Sequence, residues 1–491
     1  MSNRRLAVVA GRIVLAASAA GLLVACRATA RTGETLLGRT PAGYTVVGIV
    51  TSTDGLHVAE VAVSGDKQLV VVDGRPGPVY DGILQGGPVF SRDGRRFAYA
   101  AVKGDKRLAI IDGRPGPEYD GILEGTPVFS PDGKRFAYAA RKGGKWLAVV
   151  DGRPGPPCDA IGDLVFSPDG KRVAYRSLTG TSHHVVVDGR PGPGYDGTGS
   201  HSLVFSPDGK RLAYAARKGG KWLAVIDGRP GPEYDRVATP VFSPDGKHAA
   251  YLAMKVNRWL VVLDDQPGPE YDATGDLLFS PDGKRVAYAA RKGGKWLAVI
   301  DGRPGPEYDS VGAPVFSPDG RRAAYLGQIG DKQVAVVDGR PGLEHDRSLD
   351  GGPVFSPDGK RVAYAARTGT RQRAFVDGQP APEYDAVSGF TFSPDGRRFA
   401  YRAWKEDKWF AVVEGQPEQE WDGSLQSGPL FSPDSRRIAY LAMRGDKWLA
   451  IVDGRPGPEY DAIVTGGPAF RADGSLEYLA KRSDSLFRVR Q

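Results

Sequence analysis

The sequence predicts an all-β protein built from one short unit used about twelve times, and three observations carry that expectation. A stretch of the type "FSPDGKRFAYAARKGGKWLAVVDGRPGP", residues 129–156, recurs from "TSTDG" near residue 51 to "FRADG" near residue 470. Its opening aromatic falls at Phe90, Phe129, Phe166, Phe205, Phe242, Phe279, Phe316, Phe355, Phe392, Phe431 and Phe470, always 37 or 39 residues apart. The internal spacing is constant: 22 residues from Phe129 to Asp151, and 7 from Asp112 to Tyr119. All length variation sits in the linker after "EYD" and comes in steps of two, which preserves the face each strand residue points to.

Each unit reads as four short strands. "PVFS" is the first, and "PDG" a tight turn in which Pro sets φ and Gly takes unusual dihedrals. "KRFAYAA" is the second, with Phe136 and Tyr138 on one side and Ala137 and Ala139 on the other. A bulky and a shallow face on one strand let neighbouring sheets interdigitate. "RKGGK" is a hairpin loop, and "WLAVVDG" a third strand apolar on both sides and so buried on both. "RPGP" turns the chain and "EYDAI" is the fourth.

Four strands in about 38 residues is the size of one propeller blade. "FSPDGKRxAY" resembles the TolB-like, WD-related propeller repeat of bacterial envelope proteins, from about residue 44 to the C-terminus. That resemblance implies six-bladed rings. The expected organisation is therefore two tandem propellers, 44–272 and 273–491, with a break near residues 270–280; no linker interrupts the spacing there, so one oversized ring is the alternative.

The opening residues read as an address. "MSNRRLAVVAGRIVLAASAAGLLVAC" has a basic start and an apolar run from Ile13 to Ala25, too short to span a membrane. It ends Leu23-Val24-Ala25-Cys26, which resembles the lipobox of bacterial lipoproteins. The resemblance implies a signal peptide over 1–25, lipidation of Cys26 and a tether over 26–43. Arg27 in place of Asp implies delivery to the outer membrane, facing the periplasm. Cleavage after Ala28-Thr29-Ala30 is the alternative. The formal charge of +8 falls to +5 without Arg4, Arg5 and Arg12, a mild bias rather than a nucleic-acid binder's excess.

Catalytic signatures are absent: no G-x-S-x-G, no G-x-x-x-x-G-K-[ST] and no H-E-x-x-H. The carboxylates of "SPDG" and "EYD" recur in almost every unit, as expected of turn or inter-blade hydrogen bonds rather than of a reacting group. His183 and His184 are adjacent on a strand and point to opposite faces, and His201 alone could join one of them, short of the three or four ligands zinc takes. Cys158 stands where "EYD" has tyrosine and reads as a packed thiol. No catalytic residue, cofactor or metal is expected.

Strand alternation puts "SPDG" and "GRPGPE" on one face of the ring and the second turn with the variable linker on the other. That second face carries a discontinuous cationic rim: Arg141, Lys142 and Lys145; Arg217, Lys218 and Lys221; Arg291, Lys292 and Lys295. Lys103, Lys106, Arg367, Arg371, Arg444 and Lys447 continue it in part. A plain reading is a set of solvated hairpin turns. A sharper one is a multivalent surface for an acidic protein, lipid headgroups or an envelope polyanion. Trp146, Trp222, Trp296 and Trp448 follow the last lysine and either stack a sugar or wedge between blades.

The expected function is thus a lipid-anchored envelope scaffold that binds a protein partner through its basic loops and touches the membrane through its anchor alone. Glycan or polyanion binding is the second reading. A propeller lyase or hydrolase is the third, to be sought in the divergent units around 176–201 and 395–425.

Overall fold

The computed structural model describes residues 33–39, 41–346, 352–423, 428–464, 467–483 and 485–491. Signal, Cys26 and most of the tether lie outside the described residues. Thr32–Gln491 is one compact unit. Its described residues form strands and turns, with no helix among them.

Blade 3 shows how the unit folds. Gly121–Ile122 and Val128–Phe129 form a broken innermost strand along Phe136–Lys142. That strand pairs with Lys145–Val150, which pairs in turn with Arg153–Pro154. The outermost strand is completed where Trp146 bridges Cys158.

Two boundaries differ from the sequence expectation. The third reversal lies at Asp-Gly and not at "RPGP": Asp112 and Gly113 have φ of 51° and 78°, the pair of positive values a two-residue hairpin turn needs. "RPGPEY" is therefore the fourth strand, and its proline is tolerated because an outermost strand has one unpaired edge. Likewise only Gly143 and Gly144, at φ 57° and 79°, make the second turn, so Arg141, Lys142 and Lys145 are strand residues.

The blades, numbered along the chain, span 45–80, 82–119, 121–158, 160–195, 197–234, 236–271, 273–308, 310–346, 354–384, 386–421, 430–460 and 462–490. In blades 4 and 10 the innermost strand is continuous, Ala160–Phe166 and Ala386–Phe392, with an irregular register in its middle.

The core lies between blades. Tyr138 and Ala140 of blade 3 pack on Ala100, Ala109 and Tyr119 of blade 2. The bulky face of one sheet thus enters the alanine face of the sheet before it, and burying one such aromatic contributes about 3 kcal/mol or more. Equivalent clusters join every consecutive pair from blades 1 and 2 to blades 11 and 12.

The blades close into one ring, which corrects the preferred expectation of two. At the anticipated break, Val261 of blade 6 packs with Val286 and Tyr288 of blade 7 like any other pair. The seam lies elsewhere. Val58 of blade 1 packs with Val464, Leu479 and Leu486 of blade 12, and Gly33–Arg39 supplies blade 12 with its outermost strand by pairing with Ser485–Arg490. The physical reason is the uniformity of the interface. A twelve-membered ring needs each blade turned about 30° from the last, and alanines at the contact let sheets approach nearly face to face.

Candidate functional site

The two faces of the ring use their charges differently. On the "SPDG" and "DGRPG" face, Ser130 Oγ donates to Asp132 Oδ1 at 2.6 Å and accepts the Arg135 amide at 2.9 Å. Arg135 Nε donates to Asp151 Oδ2 at 2.9 Å, and the Phe136 amide to Asp151 Oδ1 at 3.0 Å. Arg135 then reaches into blade 4, where Nη1 donates to the Lys171 carbonyl at 2.5 Å and the guanidinium lies over Phe166, 5.4 Å from its centroid. The same latch recurs at Arg96, Arg211, Arg285 and Arg322. His57 and His248 take its place in blades 1 and 6, on Asp73 and Asp264. These aspartates are turn and inter-blade ligands. The arginine latch was missed in the sequence, although its constant offset of 16 residues from the turn aspartate could have shown it.

On the opposite face each "EYD" aspartate joins two blades. Asp120 accepts Lys106 Nζ at 2.9 Å within its blade and the Gly143 amide of the next at 2.9 Å. Asp235 and Asp309 repeat this with Lys221 and Lys295, both at 2.5 Å, and Asp159 with Lys145 and the Gly180 amide. The lysine bond, followed by the amide, holds each of these carboxyls below the usual carboxylate range.

The predicted rim therefore divides. Lys145, Lys221 and Lys295 are spent on Asp159, Asp235 and Asp309. Elsewhere Lys103 pairs with Glu118, Arg371 with Asp385, Arg444 with Glu459 and Lys447 with Asp461. Arg367 donates to the Gly369 carbonyl. Arg141, Lys142, Arg217, Lys218, Arg291 and Lys292 are exposed at the hairpin tips of blades 3, 5 and 7 and form no ion pair among the described residues. In blade 3 the cause is visible in the sequence, because Pro157 occupies the position that Glu118 holds in blade 2.

The indoles of Trp146, Trp222 and Trp296 are half-buried beside these tips, and Arg291 lies 5.9 Å from the Trp296 ring. Trp448 packs into the contact between blades 11 and 12. His184 Nδ1 meets the Gly192 carbonyl at 3.0 Å, whereas His201, at the start of blade 5, sits against Asp163, so His184 and His201 have separate partners. Among the described residues no group of three or more His, Cys, Asp or Glu is placed to hold a metal ion. Cys158 is buried, and burial pushes its thiol up. Blade 4 also buries Asp163, whose carboxylate takes Arg176 Nε at 2.6 Å and the His201 amide at 2.6 Å.

No family model matches the chain, and no curated protein matches it. Among solved structures, a crystal structure of a eukaryotic initiation factor aligns at 11% identity and a TM-score of 0.35, over 63% of this chain and 90% of its own. The β-propeller domain of the Trilobed protease from Pyrococcus furiosus, described as having an open velcro topology, aligns at 13% identity and a TM-score of 0.26, over 52% of this chain and 94% of its own.

Proposed function

We propose that this propeller is a TolB-like, lipid-anchored scaffold of the bacterial cell envelope, held at the outer membrane through Cys26, that binds an acidic protein partner. The observation that carries the reading is the sector of uncommitted cations at the tips of blades 3, 5 and 7. Arg141 and Lys142, Arg217 and Lys218, and Arg291 and Lys292 protrude in pairs from rigid hairpins, on one face, while their neighbours are neutralised within the ring. A rigid array of separated charges favours a partner with matching acidic clusters, and gives association that weakens as salt rises. Glycan binding is the second reading, supported by half-buried indoles beside the same tips. A lyase or hydrolase is the third reading, and the buried Asp163–Arg176 pair of blade 4 is the feature it would draw on.

The test is a cross-linking pull-down from solubilised envelopes with the full-length protein at low and high salt. It is run in parallel with a variant changing all six tip cations to Gln. The reading expects one dominant protein, cross-linked through residues 141–142, 217–218 or 291–292, lost at high salt and lost in the variant. Salt-sensitive retention of glycan or lipopolysaccharide without protein would overturn the adaptor and move the site to carbohydrate or lipid.

A further inference from the structure

The "DGRPG" face holds a second feature, independent of the tips. A groove of about 650 Å³ lies between blades 3 and 4, lined among others by Arg153, Pro154, Gly155, Lys171 and Tyr175. Its counterpart between blades 7 and 8, about 780 Å³, is lined at the same repeat positions by Arg303, Pro304, Gly305, Arg321 and Tyr325. Both are in the size range of small-molecule sites.

The groove holds donors with spare hydrogen-bonding capacity. Asp151 and Asp188 also line it, but their oxygens are taken by Arg135 and the Phe136 amide, and by Arg172 and the Val173 amide. Arg153 is exposed and forms no ion pair among the described residues. Lys171 and Arg321 are exposed, and each forms a long ion pair within its own turn, with Asp169 at 3.5 Å and with Asp319 at 3.9 Å, that leaves further N–H donors over. Tyr175 is 2% exposed and its hydroxyl has no hydrogen-bond partner, as is true of Tyr325 at 1%. An unpartnered buried hydroxyl is unfavourable, so a group that accepts from it is favoured.

The sequence accounts for the free hydroxyl of Tyr175 alone; Tyr325 lacks a hydrogen-bond partner although Tyr308 packs edge-on against it. In blade 3 the Tyr138 hydroxyl bonds to Tyr119 of the blade before. Tyr175 has Cys158 at that position, with no phenol to offer. Gly155 and Gly305 leave the approach open: a Cβ on either would stand 3.3 Å and 2.9 Å from the hydroxyls of Tyr175 and Tyr325. Two other tyrosines, Tyr251 and Tyr401, are also unpartnered, but their surroundings differ. Asp265 lies beside Gly231 near the first, bringing a negative charge; Gln379 and Ala381 replace the arginine and glycine near the second.

We propose that the grooves at blades 3/4 and 7/8 bind a phosphoryl group, with Arg153, Lys171 and Tyr175, and Arg303, Arg321 and Tyr325, as its donors. A guanidinium fork, a second cation and a phenol line one groove, which suits a tetrahedral head with three acceptor oxygens better than a planar carboxylate. Each groove exceeds the volume of phosphate alone, which points to a phosphate monoester rather than the free ion.

Calorimetric titration of the full chain with glycerol 3-phosphate, inorganic phosphate and glycerol tests this, with circular dichroism confirming that each variant stays folded. Two sites per chain are expected for glycerol 3-phosphate and none for glycerol. Arg153→Gln should leave one site and Arg153→Gln with Arg303→Gln none, while Arg114→Gln, in the groove where Tyr138 is already bonded, should leave two. Tyr175→Phe should weaken one site at least tenfold by removing the phenolic donor. Equal affinity for inorganic phosphate would assign the free ion, and tighter binding of the ester the monoester. The absence of saturable binding, or a stoichiometry that Arg153→Gln does not change, would overturn the proposal.

Discussion

Lys481 in the last blade and Glu60 in the first are 3.0 Å apart, and the Glu60 side chain is only 7% exposed. Residues 421 positions apart in sequence thus form one buried contact, which a pair of separate six-bladed rings would not allow. Zero-length carbodiimide cross-linking of the folded protein should yield a peptide joining residues 60 and 481. Lys481→Ala should destabilise the seam by about 1.5–3 kcal/mol, because it removes a charged hydrogen-bond donor from a buried carboxylate. A cross-link pattern joining blade 12 to blade 7 instead would contradict the single ring.

Gly209 offers a sharper test of blade-to-blade contact. Its φ is +72°, and a Cβ there would stand 2.6 Å from Asp169 Oδ1 in the preceding blade. Gly209→Ala meets both a left-handed backbone and a clash with a carboxylate fixed by Ser167. The expected cost is about 2 kcal/mol or more. Its signature is amide-exchange protection lost first in blades 4 and 5. Gly228→Ala, at a similar φ but with open space around it, should show the backbone cost alone.

The blade, its faces and its uniform packing were legible in the sequence because they rest on local periodicity, which repeats in every unit. Ring size was not. Closure depends on a small angle accumulated over all the interfaces, and no single residue encodes it. Within the site, the hairpin tips could be placed from alternation alone, yet which cations stay free could not. That depends on partners such as Asp159 for Lys145, 14 residues away, and on single substitutions such as Pro157. The grooves escaped notice for a related reason: Arg153 and Tyr175 belong to different blades, and the repeat pattern does not separate Tyr325, unpartnered beside Tyr308, from the tyrosines whose hydroxyls are bonded.

Cys158 gives a measurement that needs no mutation. Burial raises its thiol above the ordinary range, and it is a free cysteine at 4% exposure. A thiol reagent at neutral pH should label it at the rate of local opening between blades 3 and 4, many times slower than in denaturant. Labelling as fast as in the unfolded chain would mean that this interface does not close in solution.

The pH dependence follows from two populations of shifted groups. Asp132, Asp169 and Asp208 are lowered first by their serine hydrogen bonds, and Asp245 is brought down to about 2 by Ser243 and then the Lys247 amide. A carboxyl lowered on folding contributes stability that is complete above its unfolded value of 3.8 and is lost as pH falls toward the folded value. The buried phenols act at the other end. Tyr175 and Tyr325 are pushed up to about 12 by burial, so their contribution is complete below 10.0 and is lost as pH rises toward 12. The thermal midpoint, followed by circular dichroism, should hold a plateau between about pH 5 and 9, fall between about pH 4 and 2, and fall again above about pH 10. Because the turn recurs in nearly every blade, the acid limb should be steep. A midpoint unchanged from pH 5 to pH 2.5 would mean that the serine–aspartate turns do not hold the ring together.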